Sequence, residues 1–139
     1  MRCLLLASHG PLASAMKETL QLFCGPDDRV KALCAYIDDA SMDVNGLIEL
    51  WEASRVPGDE WVVVTDIFGG SVNNAFMNRL SDASIQLVAG MSLPLVLELY
   101  AKLDTLDGKG RIAELVSQVA CDGVRLCSLP EESSEDEDF

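Results

Sequence analysis

"WVVVTDIFGGSVNNAFMNRL" (residues 61–80) changes period halfway along. Residues 61–66 are an apolar, β-branched run without polar alternation, which reads as a strand covered on both faces. After Gly69-Gly70-Ser71, the residues Val72, Ala75, Phe76 and Leu80 recur at helical spacing and are expected to face inward. The stretch is therefore strand, glycine turn, helix.

The same pattern repeats on either side. On the N-terminal side, "LLLASHGPLASAM" (residues 4–16) opens within a continuous apolar run from Cys3 to Ala7. Pro11 suits the first turn of a helix, where its missing N–H costs nothing. Leu12, Met16, Leu20 and Phe23 follow at helical spacing, and Gly25-Pro26 stops the segment. Val30 to Ile37 reads as a second strand. Ser41 is placed to cap a helix carrying Val44, Leu47, Ile48 and Trp51, closed by Pro57-Gly58. On the C-terminal side, "IQLVAG" (85–90) is a fourth strand and "SLPLVLELYAKL" (92–103) a helix with Pro94 in its first turn. Ile112, Leu115, Val116 and Val119 mark a last helix, and residues 123–129 read as a short final strand. Alternation of this kind predicts a single α/β domain over residues 1–129, a mostly parallel sheet flanked by helices.

Composition narrows the function classes. The 139 residues fit one domain, and the 49% hydrophobic content is enough for a real core. No apolar run reaches the roughly 18 residues that a membrane span requires, and the N-terminal run is too short for a signal-peptide core. A cytoplasmic location is the expectation. The five cysteines (3, 24, 34, 121 and 127) are odd in number and widely spaced, with no C-x-x-C. Reduced thiols are expected rather than a disulfide framework or zinc site. The formal charge is −13, and the tail "EESSEDEDF" (131–139) holds six of the carboxylates. So acidic a chain is a poor match for nucleic acid or an anionic membrane and a better one for a basic protein partner. The segment 130–139 is expected to be a disordered, solubilising tail.

In parallel sheets, sites form beyond the carboxyl ends of the strands. Strand 1 ends at Ser8-His9-Gly10, strand 3 at Thr65-Asp66, and strand 4 at Gly90-Met91-Ser92. With these strands adjacent, His9, Asp66 and Ser71 share one rim. His9 is the only histidine. A neutral imidazole is a nucleophile near pH 7, and Asp66 can fix its tautomer through one ring nitrogen. Helices starting near Pro11 and Ser71 would offer free N–H groups to an anion. Gly10, Gly69 and Gly70 complete a loop able to approach a phosphoryl group. Taken together, the rim reads as a pocket for a phosphoryl group carried on histidine, with no metal or other cofactor required.

Three blocks carry a family resemblance: "LLLASHGPLASAM", "VVVTDIFGGSVNNA" (62–75) and "LVAGMSLPLVLEL" (87–99). In this order they resemble the IIA domain of the mannose family of the bacterial phosphoenolpyruvate-dependent sugar phosphotransferase system (PTS), over residues 1 to about 129. The T-D-x-x-G-G-S and G-x-x-L-P elements are the specific ones. The resemblance implies a phosphocarrier that accepts a phosphoryl group from phospho-HPr on His9, through Nε2, and passes it to a IIB protein. Asp66 would support the imidazole and Ser71 would contact the phosphoryl group. The membrane would be reached only through the IIC and IID subunits. The resemblance also implies a homodimer, with residues 123–129 as a C-terminal antiparallel strand exchanged between protomers, and a stand-alone IIA protein. Two positions depart from the family pattern. Ser71-Val72-Asn73-Asn74 stands where Ser-Pro-Phe-Asn is usual, and Ser92 stands where Asn often precedes Leu-Pro.

Other readings use the same residues. A phosphorylatable regulatory domain reporting carbon status would need His9 equally. The phosphotransferase subunit of a dihydroxyacetone kinase has a similar fold and histidine, but the Gly-Gly-Ser and Leu-Pro blocks favour the mannose type. A Ser71–His9–Asp66 hydrolase lacks the G-x-S-x-G elbow. A nucleotide-binding module lacks G-x-G-x-x-G and P-loop signatures.

Overall fold

The computed structural model describes residues 1–130. The expectation for the acidic tail falls on residues 131–139, outside the described residues. Strands and helices alternate: β1 (Arg2–His9), α1 (Leu12–Cys24), β2 (Val30–Ala35), α2 (Val44–Ser54), β3 (Glu60–Thr65), α3 (Ser71–Met77), β4 (Ile85–Ala89), α4 (Leu93–Ala101) and α5 (Lys109–Asp122). The four strands form one sheet in the order β2-β1-β3-β4, and every pairing is parallel. The α/β reading therefore holds. No helix among the described residues is long and apolar enough to cross a membrane.

The unbroken apolar runs follow from burial on both sheet faces. In β1, Leu4 and Leu6 point into a core closed by α1, α4 and α5. Cys3, Leu5 and Ala7 point the other way, into a core closed by α2 and α3. There Trp51 meets Trp61 and Phe76 edge-on, with centroids 5.2 and 5.8 Å apart. Edge-to-face packing of this kind places ring edges against ring faces.

Several local expectations are corrected. Ser41 does not cap α2. It lies buried in a short 3-10 turn (Asp39–Ser41), and Asp43 caps α2 by accepting from the Gly46 N–H at 3.1 Å. The second strand stops at Ala35 rather than Ile37, because Tyr36 takes a left-handed backbone with φ of 64°. Leu80 is 39% exposed, since α3 ends at Met77 and the inward stripe ends with it. Leu12 and Phe23 are also exposed; Ala13, Met16 and Leu20 form the core face of α1 instead. Pro11 sits just outside α1, at its N-cap. Residues 123–129 form no strand within the single chain, and Val124, Leu126 and Leu129 are exposed there.

Candidate functional site

Chain order reverses between β1 and β3: β2 lies on one side of β1, and β3 with β4 on the other. Crevices outside the carboxyl ends of strands at such a switch point are the usual ligand sites of parallel sheets. His9 is the last residue of β1, and Asp66 is the first beyond β3. The two meet there. Asp66 Oδ2 accepts from the His9 backbone N–H and from the His9 ring at Nδ1, each at 2.8 Å. Asp66 Oδ1 accepts from the Ile67 N–H at 3.0 Å. Partial burial pushes the Asp66 carboxyl up, but the His9 backbone and ring hydrogen bonds, His9 charge and the Ile67 N–H together outweigh it. They hold the carboxyl below its usual range. An ionised Asp66 can only accept, so in the neutral imidazole Nδ1 carries the proton and Nε2 presents its lone pair.

Ser71 opens α3 and places its Oγ 3.1 Å from His9 Nε2. The structure thus brings His9, Asp66 and Ser71 together. It adds Tyr36, which the sequence reading missed. The Tyr36 ring stacks on the imidazole with centroids 5.4 Å apart and 27° between planes. Its hydroxyl lies 2.9 Å from Ser71 Oγ. Its signal is positional: Tyr36 follows the carboxyl end of β2, the strand beside β1, and strand propensity that runs on to Ile37 conceals it.

The glycines act differently. Gly10 and Gly69 hold left-handed backbones, φ 63° and 81°, that turn the chain after β1 and before α3. Gly70 has an ordinary backbone, but a Cβ there would stand 2.8 Å from Ile67 Cγ2 and 3.3 Å from His9 Cε1. Gly70 therefore makes room for the imidazole. As N-cap it supplies no side-chain acceptor, and in the first turn of α3 Ser71 is exposed while Val72 and Asn73 are buried. At α1 the Ala13 N–H is already taken by the buried Ser8 Oγ at 2.8 Å. The loop between β3 and α3 is clamped by Asn73, which is 2% exposed. Its Nδ2 donates to Thr65 Oγ1 at 2.9 Å, and its Oδ1 accepts from the Gly69 N–H at 3.2 Å. Asn74 Nδ2 donates to the Gly69 carbonyl at 3.1 Å. The Asn73 departure from the family pattern thus serves as a loop clamp.

Among the described residues, no three His, Cys, Asp or Glu side chains converge on a common point. The larger cavities, of about 730, 700 and 640 Å³, lie elsewhere, and none is lined by His9. The His9 side chain is 42% exposed on an open rim. The arrangement leaves an oriented imidazole, flanked by the Ser71 and Tyr36 hydroxyls, open to solvent.

The EIIA-man family, described as the PTS system fructose IIA component, matches residues 3–116. The sorbose-specific EIIA component of the PTS from Klebsiella pneumoniae is 29% identical over 103 residues, which are 73% of this chain and 75% of that protein. A crystal structure from the same organism, described as a phosphoenolpyruvate-dependent sugar PTS permease, superposes with a TM-score of 0.82 at 32% identity. It covers 91% of this chain and 90% of its own. The mannose/sorbose-specific IIA subunit from Enterococcus faecalis superposes with a TM-score of 0.67 at 25% identity, covering 94% and 97%. On the match to residues 3–116, with the same fold in these relatives, the chain belongs to the EIIA-man family of the sugar phosphotransferase system.

Proposed function

We propose that the protein is a cytoplasmic phosphohistidine carrier that takes a phosphoryl group from phospho-HPr on His9 Nε2 and gives it to a IIB protein. The single observation behind this reading is the pairing of His9 Nδ1 with Asp66 Oδ2 at 2.8 Å, which leaves Nε2 as the exposed lone pair. As that lone pair attacks phosphorus, the N–P bond of the donor phosphohistidine breaks and its electron pair stays on the donor nitrogen. Positive charge developing on the His9 ring is balanced by Asp66. Charge on the phosphoryl oxygens is met by the Ser71 Oγ–H. The return step to IIB is the same displacement in the other direction. Exposed Ile67 and Phe68 beside Asp66 support a protein as partner, since clustered surface apolar groups favour docking.

Homodimer formation belongs to the same proposal. The free edge of β4 borders a groove that includes Phe68, Leu80, Leu87, Ile112 and Val116. It would seat residues 123–129 of a second copy.

Incubation with phosphoenolpyruvate, enzyme I and HPr is expected to add one acid-labile phosphoryl group to the intact protein and none to His9→Ala, read by mass. No gain in the wild type would overturn the carrier reading. A regulatory protein would gain the group but not pass it to any IIB protein. A dihydroxyacetone kinase subunit would pass it to that kinase instead. The Ser71–His9–Asp66 spacing also matches a hydrolase relay. Ester turnover lost in Ser71→Ala, without phosphorylation by HPr, would establish that second reading.

A further inference from the structure

With the imidazole neutral, the hydrogen-bond chain at the site has one direction. Asp66 accepts from His9 Nδ1–H, so Nε2 has only a lone pair to offer. The Ser71 hydroxyl 3.1 Å away must then donate its single proton to Nε2. With that proton engaged, Ser71 Oγ can only accept from its other neighbour. The Tyr36 O–H, 2.9 Å distant, is therefore the donor.

Tyr36 is held there at a conformational cost. Its φ of 64° is uncommon for any non-glycine residue and rarer for a bulky one. The following turn enforces it. The Tyr36 N–H donates to the Ser41 carbonyl at 2.9 Å. The Ile37 and Asp38 N–H groups donate to Ser41 Oγ at 2.9 and 3.0 Å, and the Ser41 N–H donates to Asp38 Oδ1 at 2.9 Å. Ser41 itself is buried. A strained residue pinned by its surroundings and pointing into a reactive site is the pattern expected where strain serves function.

We propose that Tyr36 is a positioning residue for phosphoryl transfer, its hydroxyl holding Ser71 Oγ so that the Ser71 proton serves His9 Nε2 at rest and a phosphoryl oxygen once the group is bound. This rests on the carrier reading above. No proton changes owner in the step. The N–P bond forms from the Nε2 lone pair as the donor's P–N bond breaks and leaves its electron pair on the donor nitrogen, and the Ser71 O–H swings from nitrogen to oxygen while Tyr36 continues to donate to Ser71. Without Tyr36 the Ser71 hydroxyl is free to rotate away from the arriving charge.

Tyr36→Phe retains the stacked ring and the backbone demand and removes only the hydroxyl. Transfer is measured in single turnovers from phospho-HPr over a range of concentrations, and again from phosphoramidate, a small donor that does not dock. The maximal rate is expected to fall about 5- to 10-fold with either donor, the size of one hydrogen bond. Half-saturation by phospho-HPr should stay unchanged. In a Ser71→Ala background the same change should have no further effect, because Tyr36 acts through Ser71. Rates within twofold of wild type, an equal loss in both backgrounds, or a shift confined to half-saturation would each overturn the proposal while leaving the carrier reading intact. A wild type that takes phosphate from neither donor would overturn both.

Discussion

Gly69 and Gly70 are neighbours in sequence but are required for different physical reasons. A methyl group at Gly69 would meet nothing within 4 Å, so Gly69→Ala is opposed only by its left-handed backbone. That costs about 1–2 kcal/mol of stability. A methyl group at Gly70 sits on an allowed backbone but presses on Ile67 and on His9 Cε1. Overpacking there costs about 1–3 kcal/mol. The functional consequences should separate the two more clearly than the melts do. Gly70→Ala moves the imidazole that the proposed function makes the nucleophile, and misplacing a reacting group by a fraction of an ångström to one ångström costs up to about 100-fold in rate. The expected result is comparable loss of thermal stability in the two variants, with phosphoryl transfer at least tenfold slower in Gly70→Ala than in Gly69→Ala. Equal transfer rates would show that the imidazole tolerates the intrusion.

At the level of elements, what could be read from sequence depended on how local the cause was. β1 and β3 were legible because strands buried on both faces lack polar alternation, and Leu4, Leu5, Val63 and Val64 satisfy that demand together. His9 and Asp66 followed, since strand ends locate parallel-sheet sites. The end of β2 was not legible. Tyr36 and Ile37 have good strand propensity, and only the Ser41 hydroxyl, several residues on, bends the chain away. Losing that turn meant losing Tyr36. Leu80 was misplaced because periodicity does not say where a helix stops. Residues 123–129 are a different case, because their pairing would lie outside the single chain. Leu126 is 98% exposed in the single chain. In a strand-exchanged dimer it would be covered twice by symmetry, at about 1.5–3 kcal/mol per side chain. Leu126→Asp should leave the fold of each protomer unchanged and raise the dimer dissociation constant by at least 100-fold, measured by light scattering across concentrations. A wild type that is monomeric at micromolar concentration would remove the exchanged strand from the proposal.

Across the whole molecule, charge and local pairing act in opposite directions on acid stability. The chain carries a formal charge of −13 at neutral pH, and mild acidification relieves its self-repulsion. Against this stand carboxylates whose folded surroundings favour ionisation. Asp27, at the end of the sheet away from His9, is held well below the carboxylate range first by the Arg29 guanidinium, then by the Tyr100 O–H and the Arg29 N–H. Its Oδ2 accepts from Arg29 at 2.9 Å and from Tyr100 at 2.6 Å, tying the start of β2 to α4. Asp82 is lowered by the Ser84 hydroxyl and N–H, then by Arg55. Asp66 is lowered as described for the site. A group whose folded pKa lies below its unfolded value of about 3.9 contributes fully above that value. The contribution is lost as pH falls through the folded pKa. Stability should therefore hold or rise slightly from pH 7 to about 5, then drop steeply below about 4 as these three aspartates take up protons. Asp27→Asn should lower stability at pH 7 by about 1.5–3 kcal/mol, the range of a charge-assisted hydrogen bond, and flatten the limb below pH 4. Urea midpoints of wild type and variant between pH 2 and 7 provide the check: the gap between the two curves should be constant above about pH 4 and narrow progressively below it. Parallel curves would mean that Asp27 contributes packing rather than charge, and that the acid limb arises elsewhere in the chain.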